Sequence, residues 1–271
     1  MSKRILLVLS ILTLASFGAN AALSPDSPTV LITGSNRGIG LELARQYAEK
    51  GWNVIATARR PPGDPGLAEL NKIAAGHPKV AIERIDVTDT AMIRGVAEKY
   101  RDQPIDVLIN NAANVEPTFA KDMEIVSQPY DKIDFDAARV DFDVNTLGPM
   151  RMVQAFMPNV MRSKQKKIVS VTSLAGSFGR PMPGALAMNY GSSKAALNKY
   201  MALLSNAVRD QGVIVALFQP VFVASKADKK NMKNAAPIDQ EIAKFLNEVD
   251  KLTMERSGKI TNFSTGKIDP F

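Results

Sequence analysis

Cysteine is absent from this 271-residue chain, and histidine occurs once. The first absence excludes disulfides, thiolate nucleophiles and every zinc or iron–sulfur site that needs a cysteine. The second excludes multi-histidine metal centres and leaves any histidine-based triad resting on His77. That residue lies in AAGHPKV, a turn flanked by glycine and proline, and reads as a loop histidine. No metal site is expected. Chemistry in such a chain falls to hydroxyls, lysines, amides or a bound organic cofactor.

Residues 1–21 read as an export signal outside the fold. Lys3 and Arg4 form a basic start, Ile5 to Phe17 an apolar run, and Ala19-Asn20-Ala21 an A-x-A cleavage site. The alternative is an uncleaved membrane anchor, because no charge falls between Ile5 and Leu23, a run close to the ~20 residues of a spanning helix. Gly18 and Asn20 weaken the second half of that run and favour cleavage, which implies a periplasmic or secreted protein. Loss of Lys3 and Arg4, with no acidic residue, lowers the formal net charge from +7 to +5. That excess is modest and spread along the chain, so nucleic acid is not an expected partner.

From Ser24 onward, short apolar β-branched runs alternate with helical patterns. Strands are expected at Thr29–Thr33, Asn53–Thr57, Val80–Ile85, Ile105–Asn110, Lys167–Thr172 and Val213–Phe218. Helical patterns fill about 38–50, 66–75, 89–101, 133–161 and 188–210. Strands separated by helices of this length require right-handed crossovers, hence a doubly wound α/β domain with a parallel sheet over 25–271.

The turn after the first strand is TGSNRGIG, Thr33 to Gly40. Glycines here permit a tight turn and close backbone approach to a pyrophosphate, whose charge is met by the following helix N-terminus. The second strand then lacks the terminal Asp or Glu that would hold a ribose 2′-hydroxyl and ends Thr57-Ala58-Arg59-Arg60 instead. Arginines without a carboxylate favour a 2′-phosphate, and Arg37 adds to them, so NADP(H) is expected over NAD(H). Arg60 reads as solvent-facing.

Tyr190-Gly191-Ser192-Ser193-Lys194 opens a helical stretch, which sets Tyr190 and Lys194 on one face, one turn apart. Ser173 ends the fifth expected strand, at the carboxyl edge where parallel sheets present catalytic groups. A phenol of ordinary pKa ~10 is a poor acid or base at neutral pH. A neighbouring ammonium lowers that value, and a serine hydroxyl can orient the reacting oxygen. These three residue types make a carbonyl/alcohol proton-transfer site that needs neither histidine nor metal.

On these motifs the chain resembles the short-chain dehydrogenase/reductase family of the single-domain type. TGSNRGIG matches its T-G-x-x-x-G-x-G, Asp86-Val87 its adenine-side pair, and Asn110-Asn111-Ala112-Ala113 its N-N-A-G. Asn145 in DVNTLGP, Ser173 in TSLAG, Tyr190 and Lys194 match the catalytic tetrad. YGSSKAALN and the final SGKITNFSTGKIDPF are most similar to C-factor-like and sniffer-like carbonyl reductases. The resemblance implies a Rossmann-type sheet of about seven strands and oxidoreductase activity on a small carbonyl or alcohol. Tyr190 would be general acid/base, Ser173 would hold the carbonyl, Lys194 would bind the nicotinamide ribose and lower the Tyr190 pKa, and Asn145 would hold a relay water. It assigns cofactor contacts to Gly34, Asn36, Arg37, Gly38, Ile39, Gly40, Arg59, Asp86, Val87, Asn111, Ala112, Tyr190, Lys194 and Val223. It also implies a homodimer or homotetramer through the fourth and fifth helices.

Three departures from the family stand out. Ala113 replaces the last glycine of N-N-A-G, Val221 replaces the glycine usual after Pro220, and GRPMPGA lengthens the stretch between Ser173 and Tyr190. Residues 224–236 occupy the position of the family's substrate lid, where Lys226, Lys229, Lys230 and Lys233 read mainly as solvated lysines. Met150, Met152, Met157 and Met161 read as core or subunit-packing residues. The reading of a different class is a dinucleotide-binding signalling or scaffold protein of the same fold with little or no turnover.

Overall fold

The aliphatic runs become strands with both faces covered. In the computed structural model, which describes residues 23–114, 129–179, 188–220 and 236–271, they are β1 (Thr29–Ile32), β2 (Asn53–Ala58), β3 (Val80–Arg84), β4 (Val107–Asn110), β5 (Lys167–Val171) and β6 (Ile214–Gln219). Two further short strands, β7 (Ile260–Asn262) and β8 (Lys267–Asp269), complete one sheet of order β3-β2-β1-β4-β5-β6-β7-β8. Every pairing is parallel except β7 with β8. The expected count of about seven becomes eight, with an antiparallel edge. Each of these last strands has three residues, too few for a periodic pattern to show in sequence.

Period-two alternation sorts the strand side chains onto two cores. Val30, Ile32, Val54, Ala56, Ile109, Val169 and Phe218 face α1 (Gly38–Glu49), α2 (Ala68–Gly76) and α7 (Ile238–Asp250). Leu31, Ile55, Leu108, Ile168 and Leu217 face α3 (Thr90–Lys99), α5 (Gly148–Arg162) and α6 (Met188–Ala207). Helix α7 was not among the expected elements, yet Ile242, Phe245, Leu246 and Val249 recur on one side of it. Phe245 packs edge-on against Phe218 and Phe263 at ring distances of 4.8 and 5.2 Å. His77 is the C-cap of α2, a loop position as expected. Met152 is fully buried, with Met150, Met157 and Met161 packed beside it.

The helical pattern expected over 133–161 is interrupted. α4 (Phe135–Phe142) passes into a π-helical turn, Asp143–Leu147, before α5 begins. Pro149 follows it and, lacking an N–H, cannot donate to the carbonyl of Asn145 four residues earlier. Gly148 N–H instead reaches the carbonyl of Asp143, five residues back.

The chain runs outward from β1 to β3 and then returns to β4 on the other side of β1. That reversal opens a crevice at the carboxyl ends of β1 and β4, where sheets of this kind bind ligands. Among the described residues, no helix is long and apolar enough to cross a membrane and no His, Asp and Glu group could hold a metal ion. The expected export signal, Val221, Val223, the lid lysines and most of the GRPMPGA insertion lie outside the described residues.

Candidate active site

The carboxyl ends of β1 and β4 are tied together by side chains. Thr33 Oγ1 accepts from the N–H groups of both Asn111 and Ala112 at 3.0 Å. Asn111 Nδ2 donates in return to the carbonyls of Thr33 at 2.9 Å and Gly34 at 3.2 Å. The turn that follows then folds back on itself. A Cβ on Gly40 would lie 2.2 Å from the Gly34 oxygen and 2.5 Å from Asn111 Nδ2, so only glycine fits. Arg37 at the N-cap of α1 supplies no side-chain cap to the first amide groups of the helix.

Arginines at the end of β2 divide in their use. Arg60 donates to both oxygens of Asp64 at 3.1 Å, so it is paired rather than merely solvent-facing. Arg59 is exposed and has no ion-pair partner among the described residues. Asp86 accepts from the N–H and hydroxyl of Thr88 on one oxygen, and Val87 beneath it packs against Gly148. Ala113 has negative φ, so this site does not require the family's glycine.

Ser173 lies two residues beyond the end of β5, not at its last position. It caps the 3-10 turn Leu174–Gly176 with a bond from Ala175 N–H at 3.3 Å. That turn lies directly on α6: a Cβ on Gly176 would meet the Lys194 backbone at 2.7 Å, and Asn198 Nδ2 holds the Gly176 carbonyl at 3.1 Å. This close approach lets the Ser173 hydroxyl hydrogen-bond to the Tyr190 phenol. Lys194 Nζ lies 5.8 Å from the Tyr190 ring centre and donates to the Val171 carbonyl at 2.9 Å.

Asn145 joins the groups from the other side. Its Oδ1 accepts from Asn114 N–H at 2.7 Å, and its Nδ2 donates to the Asn114 carbonyl at 3.1 Å and to Ser193 Oγ at 3.0 Å. Ser193 in turn donates to the Tyr190 carbonyl at 2.7 Å. Asn114 Nδ2 continues the chain to Asp141 Oδ1 at 2.8 Å. Asn145, Ser173, Tyr190 and Lys194 are thus brought together at one sheet edge, beside the glycine turn.

Burial dominates the electrostatics. Loss of hydration pushes the Tyr190 phenol up to about 12; its Ser173 hydrogen bond opposes the rise and the Asp141 carboxylate adds to it. The same loss pushes the Lys194 ammonium down to about 8, with Asp141 opposing. Asp141 is itself raised, first by burial, against the Asn114 bond and the Lys194 charge. In the protein alone, burial of the phenol outweighs the groups that would lower its value. Sequence reasoning missed Asp141, Asn114 and Ser193. The signal available for Asp141 was its position four residues before Asn145 in DFDVN.

A family model described as short chain dehydrogenase matches residues 28–236. An uncharacterized oxidoreductase of Schizosaccharomyces pombe is 32% identical over 267 residues, covering 92% of this chain and all of the relative. The crystal structure of NADPH-bound carbonyl reductase from chicken fatty liver superposes with a TM-score of 0.78 at 28% identity, covering 90% of this chain and 99% of that one. Carbonyl reductase Sniffer of D. melanogaster superposes with a TM-score of 0.77 at 22% identity, over 90% of this chain and all of that one, a likeness of fold.

The Gly40 contact generates a direct check. Gly40→Ala is expected to cost about 1–3 kcal/mol of stability, because backbone rather than a flexible side chain blocks the new methyl. Urea unfolding measures it, and an unchanged midpoint would contradict the packing described.

Proposed function

The chain belongs to the short-chain dehydrogenase family, and from that premise we propose that it is an NADP(H)-dependent oxidoreductase interconverting a carbonyl and an alcohol on a small organic substrate. The observation that carries this reading is the convergence of Asn145, Ser173, Tyr190 and Lys194 on one sheet edge beside a glycine turn with no room for a side chain. The uncapped start of α1 and the Gly40 cradle fit a dinucleotide pyrophosphate. Gly34, Asn36, Arg37, Gly38, Ile39 and Gly40 would hold it, Asp86 and Val87 would bound the adenine side, and Asn111 and Ala112 the inner wall. When bound, the nicotinamide supplies or accepts the hydride.

The protein's own part is the proton. With its phenol pushed up to about 12, Tyr190 carries its proton at neutral pH, the form that donates to a carbonyl oxygen. Ser173 orients that oxygen through the hydroxyl already bonded to the phenol. Lys194, held against the Val171 carbonyl, places a positive charge where the phenolate would develop.

Arg37 and Arg59 are the cations assigned to the 2′-phosphate; Arg60 is occupied by Asp64. An export signal over residues 1–21 and a homo-oligomer belong to the same proposal. The latter is supported by exposed Val140 and Leu147 near α5 and Tyr200 and Leu203 on α6.

Tyr190→Phe is expected to lower kcat by about 10²–10⁴-fold while NADPH binding changes little. Near-normal turnover would refute the assignment. A wild-type protein that binds NADPH yet oxidises none of it across a broad aldehyde and ketone panel would favour a signalling or scaffold role instead. Arg59→Asp is expected to weaken NADPH binding by about tenfold or more and to spare NADH, as loss of one charge-assisted contact implies. Equal losses for both cofactors would remove the case for NADP(H). Protein isolated from its native source is expected to begin at Ala22 and to sediment as a dimer or tetramer. An intact Met1 with a monomeric mass would contradict both.

A further inference from the structure

Asp141 is a buried carboxylate with half of its hydrogen bonding unmet. It is 1% exposed and lies at the end of α4, just before the π turn that carries Asn145. Oδ1 accepts from Asn114 Nδ2 at 2.8 Å, whereas Oδ2 is buried without a hydrogen-bond partner among the described residues. A carboxylate so placed calls for a compensating charge.

The groups around it narrow the choice. α4 packs against α6, whose Tyr190 and Lys194 are buried as Asp141 is, with Lys194 only 3% exposed. Among the described residues, the loop after β4 contributes the amide of Asn114. In the π turn, Asp143 is paired with Arg151 at 2.6 Å, and on α4 Asp136 and Arg139 pair with each other at the exposed surface. The end of β5 contributes the Val171 carbonyl to Lys194 and no charge. Among the described residues, Asp141 and Lys194 are the buried opposite charges of this site.

We propose that Asp141 is a positioning residue for the acid–base pair. Through Asn114 it braces the loop that Asn145 holds, and as the counter-charge to α6 it keeps Lys194 ionised before any ligand binds. This rests on the reading of Tyr190 and Lys194 as the reacting pair. Asn114 is gripped at three points: its N–H and carbonyl by Asn145, its side chain by Asp141. An uncharged residue at 141 could keep that grip but could not hold the ammonium. A charge role and a brace role are therefore separable.

Asp141→Asn is the variant that separates them, since an asparagine Oδ1 still accepts from Asn114. The readout is the NMR titration of the Lys194 side chain in cofactor-free protein, assigned with Lys194→Arg. The midpoint, about 8 in the parent, is expected to fall by about one pH unit or more, because the carboxylate favours the charged lysine. An unmoved midpoint in folded Asp141→Asn overturns the proposal, for a brace alone predicts that result. Should Asp141→Asn not fold, the reciprocal measurement replaces it. The carboxyl titration of Asp141 is expected to move to higher pH in Lys194→Met than in the parent, and no movement is equally fatal. Neither experiment uses turnover. A failure of the Tyr190 assignment is seen in the activity of Tyr190→Phe, and a failure of this proposal in these titrations.

Discussion

The amide of Asn145 holds both the N–H and the carbonyl of Asn114, and the site is organised around that clamp. It ties the loop after β4 to the π turn, and its third bond, to Ser193, ties both to α6. A regular α-helix through residues 135–162 would present Asn145 on a different line relative to its neighbours. Pro149, which offers no N–H to the Asn145 carbonyl, lies just after the π turn. From the π turn, one side chain thus links the loop after β4 to the helix bearing Tyr190 and Lys194.

Around that frame, desolvation outweighs charge attraction. Tyr190 and Lys194 are both almost wholly buried, and each is displaced toward its neutral form. For Tyr190 the result is a phenol that keeps its proton at neutral pH. For Lys194 it is a cost, countered by Asp141, whose own ionisation is opposed by the same burial. The three groups are held in mutual dependence by packing that excludes water, and a change in any one charge is felt by the other two.

Nucleotide-turn geometry follows a different constraint, steric rather than electrostatic. Gly40 is dictated by the Gly34 carbonyl and Asn111, and the lacing through Thr33 brings β4 close enough to create that demand. The second arginine of the Arg59-Arg60 pair is diverted into a local ion pair with Asp64, which the sequence spacing of four permits but does not announce.

Much of this was legible without coordinates. Hydrophobic runs such as TVLIT and KIVSV imply strands buried on both faces wherever they fold. A glycine turn between strand and helix is a local event, and so is the one-turn spacing of Tyr190 and Lys194. The motifs and their order therefore named the fold and the four residues that meet. What sequence spacing could not give is burial. Ser173 reaches the phenol only because α6 packs without a side chain at Gly176. Arg60 is paired only because a turn returns Asp64 to it. Asp141 faces Lys194 only because α4 and α6 close over the same edge. Local pattern determined the elements and the residue types; long-range packing decided their electrostatics, because the energy of a charge depends on how much water its neighbours have removed.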